Sequence, residues 1–337
     1  MVRKLLLTIL YVAIPLIVGL GVYTALDTFF FSPINPEDKS TTIFEVPPQS
    51  TFKSIAKDLE TQKLIRSHWS IVAFAKIRGQ DTSIMAGEYE LSPSMRPNEI
   101  LEKMASGKMF LRKITLKEGE SMWEIGADLE QQGILQKIEF ERALSDANLL
   151  KELGIAGTSL EGYLFPDTYQ FPRNTSAKKI VVAMNDQLQK RWLPEWDDRL
   201  KQLSMTKHQA LTLASIIEKE SGGVAEQPVI SSVFHNRLKK GMKLQADPTV
   251  IYGIPNFNGN ITKEDLQTPT PYNTYVITGL PPGPIANPGV SAIKAALYPV
   301  TTNYLYFVAN GQGGHIFSET LDDHNELVNA YQKNPSP

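Results

Sequence analysis

The longest apolar run of the chain lies at its start, where no residue between Leu5 and Leu26 carries a charge. At about 1.5 Å of rise per residue, a helix of this length matches a hydrocarbon core of about 30 Å. Arg3 and Lys4 precede the run, and no Lys or Arg follows before Lys39, so the charge asymmetry favours a cytoplasmic N-terminus. The pattern predicts one membrane-spanning helix, with everything after it outside the cytoplasm. The alternative is a cleaved signal peptide, although the run exceeds the usual apolar core of about 7–15 residues.

A second pattern is an internal repeat, in which FEVPPQSTFKSIAKDLETQKLI (44–65) shares its apolar spacing with TLKEGESMWEIGADLEQQGIL (115–135). Each copy predicts a short strand, a polar turn and a helix. The match continues from residues 89–104 onto residues 169–184, and the second copy is longer because of extra residues around TSLEGYLFPD (158–167). The strand–helix–helix–strand order resembles the LysM glycan-binding module. The alternative is that both copies are spacers.

These patterns predict an α+β protein with an N-terminal transmembrane helix, a LysM-like α+β repeat region and a mixed α/β catalytic domain with long Pro/Gly-rich loops. A linker is expected at SPINPEDKST, which is rich in Pro, Ser and charge. The predicted segments are a cytoplasmic start and transmembrane helix (1–26), a linker (27–42), a LysM-like repeat (43–110), a second related repeat with an inserted cleft loop (111–192), the catalytic domain (193–330) and a tail (331–337).

The last of these domains alternates helical and loop-rich segments. HQALTLASIIEKE predicts a helix that begins near Thr206 and ends at the Gly-rich stop after Ser221, and residues 226–241 predict a second helix that also ends at Gly. Residues 245–289 are dense in Pro, Gly and Asn, and so loop-rich a stretch inside a compact domain is often functional. The segment SAIKAALYP (291–299) follows, and after it a strand is predicted at 304–309 and a helical tail from Thr320.

Composition excludes several kinds of chemistry. A formal net charge of -2 with 21% charged residues provides no basic field, so no nucleic-acid partner is expected. The absence of cysteine excludes disulfides, thiolate nucleophiles and cysteine metal sites. The motifs of serine hydrolases, zinc peptidases and phosphate-binding loops are missing, and the five histidines are scattered. Asp322-Asp323-His324 is better explained as a polar helix face than as a ligand cluster, so no metal and no cofactor are predicted.

The helix within HQALTLASIIEKE ends in two acids, Glu218 and Glu220, which follow an apolar run. Residues two apart on a helix point in different directions, so these acids cannot form one paired site. A carboxyl held against apolar side chains is desolvated, which raises its pKa and suits it to act as a general acid. The spacing does not choose between Glu218 and Glu220, and the alternative is that both are exposed acids at a helix end.

Six motifs occur along the chain in a fixed order: ASIIEKES, HNRL, LQADPTVIYG, PYNTY, GLPPGPIANPG and GHIFSETLDDHN. Together they resemble the YceG-like family of endolytic murein lytic transglycosylases, over nearly the whole chain after the linker. The resemblance implies cleavage of the β-1,4 bond between N-acetylmuramic acid and N-acetylglucosamine within glycan strands, leaving 1,6-anhydro ends and needing no cofactor. In this family the first Glu of the E-K-E run is taken as the catalytic acid, which is Glu218 here. Glu220-Ser221 resembles the Glu-Ser pair of other lytic transglycosylases, so Glu220 is the alternative acid.

The resemblance and the residue types also predict a glycan-binding cleft. Its expected residues are Asn236, Arg237, Gln245, Asp247 and Asn273 for hydrogen bonds, and Tyr163, Tyr252, Tyr272 and Tyr275 for sugar stacking. Two other functions stay open: a glycan-binding envelope scaffold without catalysis, and a hydrolytic muramidase, whose second acid would be Glu161 or Asp167. The family role further implies a single-pass protein of the inner membrane with a periplasmic catalytic part, and partners among the peptidoglycan synthases (penicillin-binding proteins).

Overall fold

A computed structural model of the chain describes residues 9–79, 84–255 and 257–333. The chain divides between Arg112 and Lys113 into two compact units. Both units combine helices with small sheets, and the described residues form three two-stranded sheets. The predicted α+β class is therefore confirmed.

The described residues of the first unit form one strand pair and four α-helices. They start with a π-helical turn (Ile9–Ala13) that leads into helix α1. The elements are α1 (Ile14–Phe31), β1 (Thr42–Val46), α2 (Phe52–Thr61), α3 (His68–Arg78), β2 (Gly87–Leu91) and α4 (Pro97–Ala105). Strands β1 and β2 pair antiparallel, with Phe44 opposite Tyr89.

Helix α2 shows how the repeat pattern forms the core of the first unit. Its apolar residues Phe52, Ile55, Ala56 and Leu59 follow helical spacing, and all four are buried. The Thr51 hydroxyl accepts a hydrogen bond from the Ser54 N–H and caps the first turn. The apolar stripe therefore meets the inner face of the sheet, while the polar positions of the helix stay in solvent.

Helix α1 has apolar side chains that lie exposed around its circumference, including Leu16, Ile17, Leu20 and Tyr23. Among the residues that the structure describes, none of the helices has both the length and the apolar character needed to cross a membrane. The predicted span from Leu5 to Leu26 begins outside the described residues, which start at residue 9.

The second unit holds the remaining described elements, of which β3 begins at Arg112, the last residue of the first unit. In chain order they are β3 (Arg112–Thr115), α5 (Met122–Gln131), α6 (Lys137–Leu144), α7 (Ala147–Glu152), β4 (Thr168–Phe171), α8 (Ala177–Arg191), α9 (Pro194–Leu203), α10 (Lys207–Glu220), α11 (Gln227–Lys239), α12 (Asp247–Tyr252), α13 (Lys263–Gln267), α14 (Val290–Leu297), β5 (Tyr306–Ala309), β6 (His315–Ser318) and α15 (Leu321–Val328). A π-helical segment, Asn329–Lys333, follows α15. Strand β3 pairs with β4, and β5 pairs with β6.

The two repeat copies share one order of elements except for one additional helix in the second copy. The first runs β1, α2, α3, β2 and α4, and the second runs β3, α5, α6, α7, β4 and α8. The extra residues of the second copy, 158–167, form an irregular segment between α7 and β4. The second copy therefore differs from the first by helix α7 and by this irregular segment.

Helix α10 is the central helix of the second unit. A capping box of Thr206 and Gln209 begins it, and Ser221 ends it, as the sequence predicts. Residues 210–217 are all buried, and the helix packs against α9, α11 and α14. Burial ends only at the last turn, which carries Glu218 and Glu220. Both acids thus leave the core at one point of the fold, each half-buried.

Candidate active site

Glu218 lies against the start of α14 and the start of α11. The Gly289 N–H donates to its Oε2 at 2.9 Å, and the Gln227 side-chain amide lies 3.5 Å from its Oε1. Gln227 also donates to the Ser221 hydroxyl at 3.3 Å. Each carboxylate oxygen therefore has a polar neighbour from a different element, which fixes the plane of the carboxyl group.

The pKa of Glu218 lies above the usual range of a glutamic acid. Burial of the carboxyl is the main cause, and the nearby Glu118 carboxylate raises the pKa further. The Gly289 N–H and the Lys219 ammonium act in the opposite direction, because both favour the ionised form. The net effect keeps a larger fraction of Glu218 protonated near neutral pH, as a general acid requires.

Asn287 connects the segments that surround Glu218. It is fully buried, and its Oδ1 accepts hydrogen bonds from the Gly162 and Leu164 N–H groups, both at 3.0 Å. Its Nδ2 donates to the Glu120 carbonyl at 3.0 Å and to Glu161 Oε1 at 3.1 Å. One amide side chain thus joins the inserted loop of the second repeat, the turn before α5 and the loop that leads to Gly289.

Glu220 lies on the other side of the same helix turn and lines an open cleft of about 580 Å³. Burial is the main cause that raises the pKa of Glu220 to about 8, and the Asp247 carboxylate adds to it. The Arg237 guanidinium and a hydrogen bond from the Asp247 N–H oppose this shift. The two acids therefore have separate surroundings, which agrees with the prediction that they do not form one pair.

Four of the predicted sugar-binding residues line this cleft together with Glu220: Arg237, Gln245, Asp247 and Tyr275. Gln245 and Asp247 are exposed, and the Tyr275 hydroxyl donates to Asp247 Oδ1 at 2.6 Å. Arg237 is buried, and its guanidinium donates to the carbonyls of Leu244 and Leu305, both at 2.6 Å. Gln245, Asp247 and Tyr275 are thus open to a ligand, whereas Arg237 mainly joins two chain segments.

The other predicted binding residues lie elsewhere. The Asn236 amide donates to the carbonyls of Thr302 and Tyr304, and the buried Asn273 amide donates to three carbonyls of α13 and the residues after it. Tyr163 is 5% exposed, and its hydroxyl hydrogen-bonds His208 Nδ1 at 3.0 Å. In the described conformation these three side chains hold loops in place and offer little surface to a sugar.

Tyr252 and Tyr272 pack against each other, with ring centroids 4.8 Å apart. The Tyr252 hydroxyl bonds Glu161, which is fully buried and also accepts from the Met122 N–H at 3.0 Å. Burial raises the pKa of Glu161 to about 8. Glu161 therefore belongs to the buried support of the inserted loop.

Asp167 is held by its own surroundings. A hydrogen bond from the Thr168 N–H is the main cause that holds the pKa of Asp167 below its usual range, and Gln187 and Arg191 add to it against the opposing effect of burial.

Glu118 is a carboxylate that the structure brings near Glu218 and that sequence reasoning did not select. Its only sequence signal was its place in the polar turn KEGES of the second repeat.

Comparison with known proteins agrees with this arrangement of motifs. The YceG-like family model matches residues 44–330. The chain belongs to the YceG-like family. An endolytic murein transglycosylase of Bacillus subtilis is 35% identical, over 89% of this chain and 87% of its own length. One from Streptococcus pneumoniae is 28% identical over 88% of this chain, which spans 59% of that relative's length.

A solved structure is also similar. The crystal structure of a yceG-like protein from Listeria monocytogenes is 35% identical and superposes with a TM-score of 0.60. The match covers 86% of this chain and 99% of that one. The YceG-like family membership is thus supported by sequence and by fold.

Replacing Asn287 by Ala should destabilise the second unit. The change leaves the buried N–H groups of Gly162 and Leu164 without an acceptor, which we expect to lower the free energy of unfolding by about 2–5 kcal/mol. Asn148→Ala, at an exposed position of α7, should change it by less than about 0.5 kcal/mol. Chemical denaturation followed by tryptophan fluorescence checks both, and equal stability of the two variants would contradict the role given to Asn287.

Proposed function

We propose that the chain is an endolytic murein transglycosylase that cleaves peptidoglycan glycan strands at the bond between N-acetylmuramic acid and N-acetylglucosamine. The observation that carries this proposal is the half-buried Glu218 carboxyl, with its raised pKa, inside the ASIIEKES motif of a YceG-like chain. The similar proteins named endolytic murein transglycosylase support the same activity.

The proposed reaction uses one carboxyl in two steps. Protonated Glu218 gives its proton to the oxygen that joins the two sugars, and the bond from C1 of the muramoyl sugar to that oxygen breaks. The C6 hydroxyl of the same sugar then attacks C1, and the Glu218 carboxylate accepts the hydroxyl proton. A 1,6-anhydro end and a new free hydroxyl on the departing sugar result, no water is consumed, and Glu218 ends the cycle protonated.

The contacts of Glu218 suit both steps. The N–H of Gly289 and the amide of Gln227 orient the carboxyl. Both donors are uncharged, so they stabilise the carboxylate only moderately. A raised pKa makes the carboxylate a better base once its proton has left, which helps it to take the C6 hydroxyl proton. We infer that the exposed Gln245 and Asp247 and the half-buried Tyr275 of the nearby cleft bind part of the glycan.

One observation favours a second assignment of the acid. Glu220 has a pKa of about 8 and lines the cleft that holds most of the exposed polar candidates. The alternative is that Glu220 donates the proton and Glu218 supports the helix end. We favour Glu218 because the first Glu of the E-K-E run is taken as the catalytic acid in the YceG-like family that this chain resembles. A scaffold without catalysis and a water-using muramidase are the other functions that the experiments below separate.

We also propose that residues 1–26 anchor the enzyme in the inner membrane, with a cytoplasmic N-terminus and the rest of the chain in the periplasm. The uncharged run and the exposed apolar side chains of α1 support an apolar environment for this segment. An anchor would hold the enzyme where new strands emerge, beside peptidoglycan synthases, which we expect as partners. Cleavage within nascent strands would then end their elongation.

Glu218→Gln should fold and lose at least about 100-fold of its cleavage rate, because an amide cannot supply the proton. Glu220→Gln should retain most of the activity. In the wild type the rate should fall as pH rises through the pKa of Glu218, since only the protonated carboxyl can act as the acid. The assignment is tested by measuring strand cleavage with purified peptidoglycan, with circular dichroism as the folding control. A folded, active Glu218→Gln together with a folded, inactive Glu220→Gln would reverse it.

Digestion in ¹⁸O-labelled water should give 1,6-anhydro-N-acetylmuramic acid ends without label. The muramoyl C6 hydroxyl is held in the same sugar at high effective molarity, so it outcompetes water. Mass spectrometry of the fragments identifies the ends, and glycan O-acetylated at the muramoyl C6 hydroxyl should resist cleavage. Labelled reducing ends as the main product would identify a muramidase. Uncleaved glycan would instead favour the scaffold without catalysis.

The full chain should sediment with membranes, resist a high-salt wash and be released by detergent. A variant that lacks residues 1–31 should be soluble and still cut glycan in vitro, because the segment supplies location and not chemistry. Intact-mass measurement of the detergent-extracted wild type should give the mass of the uncleaved chain. A product shortened at its N-terminus would indicate a signal peptide in place of an anchor.

A further inference from the structure

Gly289 contacts two carboxylates. Its N–H donates to Glu218 Oε2 at 2.9 Å. A Cβ atom built on Gly289 would lie 1.9 Å from Glu118 Oε1 and 2.2 Å from the carboxyl carbon of Glu118. The Glu118 carboxylate therefore occupies the space in which a side chain of residue 289 would begin.

The backbone at this position does not itself require glycine. Gly289 has a φ of -75° and a ψ of 171°, an extended conformation that any residue adopts. What a side chain would disturb is the neighbouring carboxylate, so the glycine accommodates Glu118. Sequence alone could not reveal this, because Glu118 and Gly289 belong to segments that only the fold brings together.

The turn that carries Glu118 is held on both sides of the site. The Gly119 N–H donates to the Asn287 carbonyl at 2.9 Å, and the Gly119 carbonyl accepts from Lys219 Nζ at 3.2 Å. Gly119 has a φ of 79°, so this turn also needs a residue that tolerates the left-handed region. The Glu118 side chain is itself exposed, so its charge faces solvent and Glu218 together.

We propose that Glu118 is a positioning residue for the catalytic carboxyl, and that its carboxylate, which lies against Gly289, places a negative charge beside Glu218. The reaction assigned to Glu218 rests on the proposed function, whereas the interaction between the two carboxyls does not. A like charge disfavours ionisation of its neighbour. Glu118 therefore adds to the effect of burial, favours the protonated form of Glu218 before cleavage, and strengthens Glu218 as a base after the proton has left.

In the described part of the chain, charged and polar groups face Glu218 from four segments. Glu118 comes from the turn before α5, Lys219 comes from α10 itself, and the uncharged Gln227 and the Gly289 N–H come from α11 and the start of α14. The Lys219 ammonium opposes Glu118, but its bond to the Gly119 carbonyl holds both charges on the same turn. Removing the Glu118 charge should therefore leave Lys219 as the dominant neighbouring charge and lower the pKa of Glu218.

Two variants test this with different chemistry. Glu118→Gln removes the charge but keeps the side-chain shape, and Gly289→Ala displaces the Glu118 carboxylate while keeping its charge and the N–H that binds Glu218. The pKa of Glu218 is measured directly by ¹³C NMR titration of the glutamate carboxyl carbons in the detergent-solubilised full chain. The Glu218 signal is identified by its loss in Glu218→Gln. Glu139→Gln is the control, since Glu139 is an exposed carboxylate on α6, which packs against α5 and α8.

Both test variants should lower the pKa of Glu218, and the double variant should shift it no further than Glu118→Gln alone. Because Glu118 is exposed, the shift should shrink at high ionic strength. Glu139→Gln should leave the pKa unchanged. The alkaline limb of the pH profile of kcat should move to lower pH in both test variants, with KM and the anhydro product unchanged.

An unchanged pKa of Glu218 in folded Glu118→Gln overturns the inference, even if the wild type forms anhydro ends and the proposed function stands. An equal shift of the pKa of Glu218 in Glu118→Gln and in Glu139→Gln also overturns the inference, because the loss of a distant carboxylate would then have the same effect as the loss of Glu118. If the pKa falls as expected while the wild type forms no anhydro ends, the proposed function fails and the positioning by Glu118 is supported.

Discussion

The burial of α10 is the constraint on which the arrangement of the site depends. Residues 210–217 leave no face of this helix to solvent, so the segments around it must cover every side. The turn before α5, the start of α11 and the loop before α14 meet at its last turn, where the cover ends. Glu218 therefore meets solvent beside segments from three parts of the sequence, whereas Glu220 faces the cleft lined by Arg237 and Asp247.

Those segments are largely irregular, and side-chain amides replace the hydrogen bonds that regular structure would supply. Asn287 joins two loops to the turn before α5, and Asn273 satisfies three carbonyls around α13. A buried loop needs such partners because unpaired backbone groups in the interior are costly. Two of the asparagines within residues 245–289 thus hold irregular backbone in place.

What could be predicted from the sequence was mainly local. The limits of α10 follow from Thr206 and Gln209 at one end and the Gly-rich stop at the other, because capping depends on neighbours a few residues away. The divergence of Glu218 and Glu220 follows from helix geometry alone. The burial of Tyr163 and Asn273 could not be predicted, since a tyrosine or an asparagine suits a sugar and a loop carbonyl equally well. The contact of Glu118 with Gly289 depends on tertiary packing, which no spacing in the sequence encodes.

The end of a helix is a costly place for a carboxylate, and this cost helps to explain the chemistry. The C-terminal end of a helix carries a partial negative charge, which disfavours an ionised acid in the last turn. Glu218 and Glu220 both stand there, and burial raises the pKa of each in the same direction. Lys219 between them carries the charge that helices favour at this end, and its bond to the Gly119 carbonyl directs it toward the turn that holds Glu118. In their ionised form, the two acids of the last turn therefore destabilise the helix end. Active sites often retain such unfavourable groups, because their chemistry needs a proton held near neutral pH.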